Sequence, residues 1–190
     1  MASYYFLIAQ LPQLAYGQTP SITSEAFIEL ARRYLEKHDA ELLNFCTLGT
    51  KAEVPPPTSS EFINLWRKRE RTLTFNLAQV RAAKIKRDGV QVNYEIERDD
   101  LDTENQAKAA VAMEDPLEAE LFLDKGRWEA IENFIGITYF DVNVVYAYLL
   151  KLLLIERRLS FKTEEGFAEY KSLYASIMES APQVGAAGDI

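Results

Sequence analysis

The feature that most constrains this chain is a run of twelve residues, 144–155, that is apolar apart from Lys151. A helix of that length spans roughly 18 Å at about 1.5 Å per residue, whereas the hydrocarbon core of a bilayer is about 30 Å thick. The run is therefore too short for a membrane span. Because it is apolar on nearly all sides, it predicts a buried central helix that Asp141 caps and that continues to about Leu159.

Helix-start signals recur along the rest of the chain and predict an all-α fold. Capping residues, a Pro at the first helical position and helical spacing of apolar residues mark the starts. The short connections 136–141 and 160–163 require neighbouring helices to run antiparallel, as helical hairpins. In the first half of the chain, one predicted helix follows Thr23 or Ser24, a second runs from Asp39 through Cys46, and a third runs from the capping box Thr58–Glu61 to Lys86–Arg87. In the second half, helices are predicted over roughly 103–113, from Asp115 to Gly136 and from Thr163 through Ser180.

Three segments do not fit a helix as clearly. The apolar run 3–11 fits either a buried strand or a first helical turn. Residues 14–22 are predicted to form a loop, and 90–96 alternates enough between apolar and polar residues to form a short strand.

A chain of 190 residues is long enough for one domain with a substantial core. We predict a single helical domain over 1–180, built as one lobe or as two lobes that meet near 88–115, and a disordered tail over 181–190. No basic segment precedes the apolar start, so we expect no signal peptide and a cytoplasmic protein.

The scarcity of Cys and His excludes several kinds of chemistry. Cys46 is the one cysteine, so the chain cannot form an internal disulfide or a cysteine metal cluster, and we expect a core residue. His38 is the one histidine, which argues against a His metal site and a Ser-His-Asp triad; we expect it at a helix end where the dipole favours it. Glu164-Glu165 and Asp99-Asp100 are expected by chance among 29 acids, and no Gly-rich phosphate loop is present. The sequence therefore predicts no catalytic, cofactor-binding or metal-binding residues.

The net charge of −8 conceals an uneven distribution. Residues 59–87 carry 8 basic and 2 acidic side chains, whereas 88–125 carry 3 basic and 12 acidic ones. Either the acidic segment folds back on the basic helix, or the helix presents a docking surface to an acidic protein. A pI of about 4.8 and the absence of aromatic–Gly reading motifs disfavour nucleic acid. The candidate interface residues are Arg67, Lys68, Arg71, Arg81, Lys84, Lys86 and Arg87.

Polar and aromatic residues at unusual positions leave further alternatives open. Heptad phasing of the long helix places Arg69 and Asn76 on its apolar seam, where they either reach outward or join a buried network. Aromatic residues cluster at 4–6 and at 139–140, and both clusters fit either the core or a protein interface.

Three segments together carry a resemblance to a known family. They are 4–12 (YYFLIAQLP), 62–78 with its FINLWR and ERTL motifs, and 127–157 with RWEAIE and YFDVN. As a set they resemble a small uncharacterised bacterial family encoded in V/A-type rotary ATPase operons of spirochaetes and Bacteroidetes-like bacteria. In those operons the family occupies the place expected for the C subunit, an all-helical funnel that rests on the membrane rotor ring and receives the foot of the central stalk.

The resemblance implies a non-catalytic peripheral subunit, similar to the C subunit, that links the central stalk to the rotor ring and needs no cofactor. Its partners would be those ATPase subunits, and it would be cytoplasmic and peripheral to the inner membrane. The C subunit contains three helical repeats, and this chain is too short to hold all of them. An alternative is an assembly factor or standalone helical adaptor that docks through the basic helix 59–87. A small helical enzyme with a carboxylate site is a third hypothesis, but no suitable pair of acids is evident.

Overall fold

The computed structural model describes residues 4–50, 56–85, 101–137, 139–161, 171–174 and 176, and the regular secondary structure within them is entirely helical. The all-α prediction is therefore confirmed. The chain divides into two compact units, Met1–Arg158 and Leu159–Ile190. In the second unit, the described residues 171–174 and 176 are helical.

Over the described residues up to 161, the chain forms seven α-helices, with one 3₁₀ turn, Leu43–Phe45, between the third and the fourth. The α-helices are α1 (Tyr5–Gln10), α2 (Ser24–Arg32), α3 (Lys37–Leu42), α4 (Glu61–Lys84), α5 (Leu101–Ala112), α6 (Pro116–Ile135) and α7 (Val142–Leu159).

Side-chain caps set several of these boundaries, as the sequence predicts. Thr23 accepts a hydrogen bond from the Ala26 N–H at the start of α2, and Asp115 accepts one from Leu117 before Pro116 opens α6. The Asp141 carboxylate accepts a hydrogen bond from the Asn143 N–H at 2.9 Å at the start of α7. These bonds satisfy backbone donors that a helix leaves unpaired in its first turn.

Two predicted caps are wrong. The cap of α4 is Ser60, whose hydroxyl accepts from the Ile63 N–H. Thr58 precedes the helix, and its hydroxyl donates to the Asn64 side chain in the first turns of α4 instead of accepting from a backbone N–H. Asp39 does not begin α3 but lies in its first turn. Its carboxylate accepts a hydrogen bond from the Tyr4 hydroxyl and so serves a tertiary contact rather than a cap.

Other predictions are settled or lie outside the described residues. The run 3–11 forms a helix, α1, over Tyr5–Gln10, and 14–22 is a loop. The helix predicted at 103–113 is α5. The possible strand at 90–96, the tail 181–190, the acid pairs Asp99-Asp100 and Glu164-Glu165, and most of the helix predicted at 163–180 lie outside the described residues.

The larger hydrophobic cluster is built around α7, which contributes more buried side chains to it than any other described helix. Helices α1, α2 and α3, the first turns of α4 and the last turns of α6 pack on it, and Trp66, Tyr146 and Phe27 are among its fully buried members. The predicted buried central helix is thus confirmed. Within the described part of the chain, no helix combines the length and apolarity needed to cross a bilayer.

A second, smaller hydrophobic cluster lies further along α4. Its buried members are Leu73, Leu77, Ala107, Ala110 and Leu123, from α4, α5 and α6. Helices α4 and α6 therefore contribute to both clusters. They run antiparallel, since Glu70 contacts Arg127 whereas Arg81, further on in α4, lies near Glu120 earlier in α6. The two clusters meet along this helix pair.

Candidate functional site

A network of buried charges lies where α4 and α6 pass from one hydrophobic cluster to the other. Arg69, Glu70, Asp124 and Arg127 are each 7% exposed or less. Arg127 Nε lies 3.0 Å from Glu70 Oε2, and Arg127 Nη1 lies 2.8 Å from Asp124 Oδ1. Arg69 Nη2 donates to the Gly126 carbonyl at 3.1 Å. Four charged side chains are therefore held together away from solvent.

Neighbouring helices complete this network. Arg157 of α7 donates to Asp124 Oδ1 at 3.1 Å and to Glu120 Oε2 at 2.5 Å, and Arg69 Nη2 donates to Gln106 Oε1 of α5 at 2.8 Å. With Glu120 and Arg157 the network contains three arginines and three carboxylates and joins α4, α5, α6 and α7. We call these six charged residues the buried network; Arg157 and Glu120 form its edge and are 30% and 34% exposed.

Burial and pairing act in opposite directions within the buried network. Burial disfavours the charged form of Arg127, but the carboxylates of Glu70 and Asp124 outweigh it and raise the pKa of Arg127. Burial raises the pKa of Asp124 despite the attraction of Arg157 and Arg127. Asp124 also has two charged partners, but both arginines donate to Oδ1, and Oδ2 is buried without a hydrogen-bond partner among the described residues.

Two polar residues on the apolar seam of α4 could either reach outward or join a buried network, and both bond groups on neighbouring helices. Arg69 joins the buried network, and Asn76 donates to the Thr103 hydroxyl of α5. The sequence gives no comparable sign for Glu70, Asp124 or Arg127. Their pairing depends on which faces of α4 and α6 meet.

The seven candidate interface residues do not share one environment. Arg81 lies 4.0 Å from Glu120, and Lys84 donates to the Val111 carbonyl at 2.9 Å, so these two face α6 and α5. Lys68 is exposed, and Arg67 and Arg71 line a pocket near the start of α4. Lys86 and Arg87 lie outside the described residues. Whether the set forms a docking face stays a prediction.

Arg67 and Arg71 lie one turn apart on α4 and line a pocket of about 90 Å³, which we call the arginine pocket. Arg67 Nη1 donates to the Pro56 carbonyl at 3.2 Å, and its guanidinium lies 5.6 Å from the Phe45 ring centre. Burial, together with the positive charge of Arg71, lowers the pKa of Arg67. The pocket is lined by Asn44, Phe45, Thr47, Gly49, Thr50, Arg67 and Arg71.

A larger pocket of about 440 Å³ contains the one histidine of the chain. His38 Nε2 lies 2.7 Å from Ser59 Oγ, but in the described part of the chain no carboxylate bonds the other ring nitrogen, as a triad would require. The predicted dipole effect on His38 is wrong, because His38 lies in the first turn of α3, the positive end of a helix. Asp39 and Asp141, which also line the pocket, already serve Tyr4 and the cap of α7.

The two aromatic clusters of the sequence meet at one surface. The Tyr5 ring lies 5.7 Å from Phe6 and 4.8 Å from Phe140, and the Tyr4 N–H donates to the Phe140 carbonyl at 3.1 Å. Tyr5, Phe6, Tyr139 and Phe140 are 50%, 78%, 73% and 45% exposed. We call these four residues the aromatic patch. Tyr4, by contrast, is buried. Within the cluster at 4–6, therefore, one ring belongs to the core and the other two lie at the surface.

Two further predictions concern reactive groups. Cys46 is buried in the larger cluster, as expected, and burial raises the pKa of its thiol. Across the described residues, no group of three or more His, Cys, Asp and Glu side chains is arranged to hold a metal ion.

Comparison with known proteins gives one partial match. A family model described as "Protein of unknown function (DUF2764)" matches residues 93–180, just under half of the chain. The match includes α5, α6 and α7, and therefore the carboxylates Glu120 and Asp124, but it excludes α4 and the arginine pocket. No curated protein and no solved structure matches the chain.

Proposed function

We propose that this protein is a non-catalytic peripheral subunit of a V/A-type rotary ATPase, similar to the C subunit, that links the central stalk to the membrane rotor ring. The proposal rests on the resemblance of segments 4–12, 62–78 and 127–157 to the operon-encoded family. On this proposal the protein works in the cytoplasm, against the inner membrane, and contacts the other ATPase components through its surface.

The aromatic patch is the observation that best supports a docking role. Exposed aromatic side chains in contact with one another are typical of protein interfaces, where Tyr and Phe supply large rigid apolar areas. Phe6 and Tyr139 are each more than 70% exposed. The backbone bond between Tyr4 and Phe140 holds the two halves of the patch in place, so a partner would meet a preorganised surface.

Co-purification from native membranes tests the proposal. Phe6→Ser and Tyr139→Ser each remove apolar area from the aromatic patch. Tyr34→Ser is the matched control, because Tyr34 is 45% exposed and is not one of the four patch residues. We expect the tagged wild-type chain and the Tyr34 variant to retain the ATPase subunits, and the two patch variants to retain at least tenfold less. Absence of those subunits from the wild-type sample, with the ATPase intact in the extract, would contradict the proposal.

The alternative is an assembly factor or standalone adaptor that docks through the basic helix. Lys68 favours it because its side chain is exposed in the first half of α4. Arg81 and Lys84 are exposed as well, but they already approach Glu120 and the Val111 carbonyl. Two measurements separate the candidates. A stoichiometric subunit is present at a constant ratio in purified ATPase, whereas an assembly factor is absent from it. Loss of binding in Lys68→Gln, but not in Phe6→Ser, would assign docking to the basic helix.

A further inference from the structure

The arginine pocket concentrates positive charge, and the described residues that line it include no acidic partner. Arg67 and Arg71 are four residues apart on α4 and so lie on the same face, where like charges repel. The lining contains these two arginines and no carboxylate among the described residues. The buried network, which includes Arg69 and Glu70 of the same helix, contains one carboxylate for each arginine. The arginine pocket differs from it in this respect.

One donor atom of Arg67 is buried and has no acceptor among the described residues. Arg67 Nη2 is inaccessible to solvent and donates to no acceptor among the described residues. A buried unpaired donor of a charged group is costly, because it has lost its hydrogen bonds to water without gaining others. A negatively charged acceptor in the pocket would satisfy it once the guanidinium turns to bring Nη2 out of its buried position.

We propose that Arg67 and Arg71 bind a phosphate-class dianion, either free phosphate or the terminal group of a small phosphate ester. Guanidinium groups present planar forks of N–H donors that match the oxygens of phosphate. A phosphate group carries about −1.5 to −2 charges at neutral pH, so it offsets two arginines, whereas one carboxylate offsets a single arginine. This inference is independent of the proposed ATPase role.

The remaining lining fits a small oxyanion. Asn44, Thr47 and Thr50 bring an amide and two hydroxyl groups to the pocket, and their side chains have no hydrogen-bond partner among the described residues. Each can donate a hydrogen bond to a phosphate oxygen. A volume of about 90 Å³ is enough for a phosphate group but small for a nucleotide, so the rest of an ester would extend to the open side.

The pocket is held in shape by contacts behind it. Trp66, one residue before Arg67, is buried and donates from its indole N–H to the Thr47 carbonyl at 3.0 Å, which fixes the 47–50 loop to α4. The Phe45 ring lies beside the Arg67 guanidinium and orients it. These contacts preorganise the donors, which lowers the cost of binding a small ligand.

Calorimetric titration of the full-length chain tests this inference. The probes are inorganic phosphate, glycerol phosphate and acetate, each at constant ionic strength set with sodium chloride. Arg67→Gln and Arg71→Gln each remove one guanidinium from the pocket. Arg81→Gln removes the same charge from an exposed position of α4 outside the pocket and is the matched control. Circular dichroism establishes that each variant is folded.

We expect saturable phosphate binding by the wild-type chain and by the Arg81 variant. The affinity for phosphate should be at least about tenfold lower in either pocket variant, because a charge-assisted hydrogen bond contributes at least that factor to the affinity. Acetate should bind at least tenfold more weakly than phosphate. Tighter binding of glycerol phosphate than of phosphate would assign the site to an ester, and the reverse order to free phosphate. Absence of saturable phosphate binding, equal weakening in the Arg81 variant, or acetate binding as tight as phosphate would each overturn the inference. If the Arg67 variant does not fold, the half-buried Arg71 decides the outcome.

Discussion

Arg67 and Arg69 are two residues apart in α4 and have opposite surroundings. Arg69 is 5% exposed and donates to Gln106 and to the Gly126 carbonyl, within a set of arginines and carboxylates of equal number. Arg67 lies beside Arg71 in a pocket whose described lining contains no acid. One face of the helix therefore uses its charge to join helices, and the other keeps its charge available to an external anion.

This difference explains why the basic residues of 59–87 do not form a single positively charged surface. A helix turns by about 100° per residue, so positions two apart point in nearly opposite directions. Arginines on the inner face need carboxylates because an unpaired buried charge is very costly. Arg67 and Arg71, on the other face, are only partly buried, so they are less costly without an acid and their charge can serve binding instead.

The largest expected effect comes from breaking the buried network. Arg127→Met keeps the volume but leaves Glu70 and Asp124 without their shared cation, so we expect a loss of about 3–5 kcal/mol in the free energy of unfolding. Arg71→Met makes the same substitution in the arginine pocket and should change it by less than about 0.5 kcal/mol. Urea unfolding followed by circular dichroism measures both.

A double variant sharpens this test. In Glu70→Leu with Arg127→Met, the carboxylate that lost its partner is also removed, so part of the lost stability should return. Equal unfolding midpoints for the Arg127 and Arg71 single variants would show that the two faces of α4 do not differ energetically.

A smaller effect is expected in the pH dependence of stability. The pKa of Asp124 is raised by burial, so its contribution to stability is fully present below the ordinary pKa of an aspartate, about 3.9, and is lost as the pH rises through the higher folded-state pKa. The free energy of unfolding of the wild-type chain should therefore fall with pH in that window relative to Asp124→Asn. Urea unfolding at a series of pH values measures the two slopes.

Asp115→Asn is the control for that experiment. Asp115 is an exposed cap at the start of α6 that accepts from the Leu117 N–H, so its replacement should leave the slope of the wild-type chain in place. A wild-type chain that gains stability over the Asp124 variant as the pH rises would show that Arg127 and Arg157 outweigh burial.

The smallest expected effect is a gain in stability at the arginine pocket. Arg71→Gln removes a like-charge pair at a spacing of four residues, which should raise the free energy of unfolding by about 0.2–0.5 kcal/mol in buffer without phosphate. Arg81→Gln removes a cation that faces Glu120, so it should leave the value unchanged or lower it slightly. A loss in the Arg71 variant as large as in the Arg81 variant would indicate that Arg71 has a structural role.

The boundaries of several helices follow from local chemistry alone. Asp115 and Asp141 cap α6 and α7 as the sequence predicts, because a cap needs only a short acidic side chain next to unpaired backbone N–H groups. Ser60 and Asp39 are the exceptions. Near Ser60 several capping residues compete within three positions, and Asp39 is engaged by Tyr4, which is 35 residues away in sequence.

The aromatic residues show where such local reasoning ends. Tyr4 and Tyr5 are adjacent, yet Tyr4 is 5% exposed and Tyr5 is 50% exposed. Composition assigns both to an aromatic cluster, and only the direction in which α1 meets the rest of the molecule separates them. The arginine pocket is a similar case, since the contact of Trp66 with Thr47 brings the segment 44–50 next to Arg67.

The sequence by itself determined that this chain is helical, that 144–155 lies in the core, and that 59–87 is basic, because apolar periodicity, capping residues and charge are properties of neighbouring residues. The tertiary structure decided which arginines are paired and which are open, and which aromatic rings reach the surface. Those outcomes depend on the faces that α4, α6 and α7 present to one another, and contacts between residues far apart in the chain set those faces.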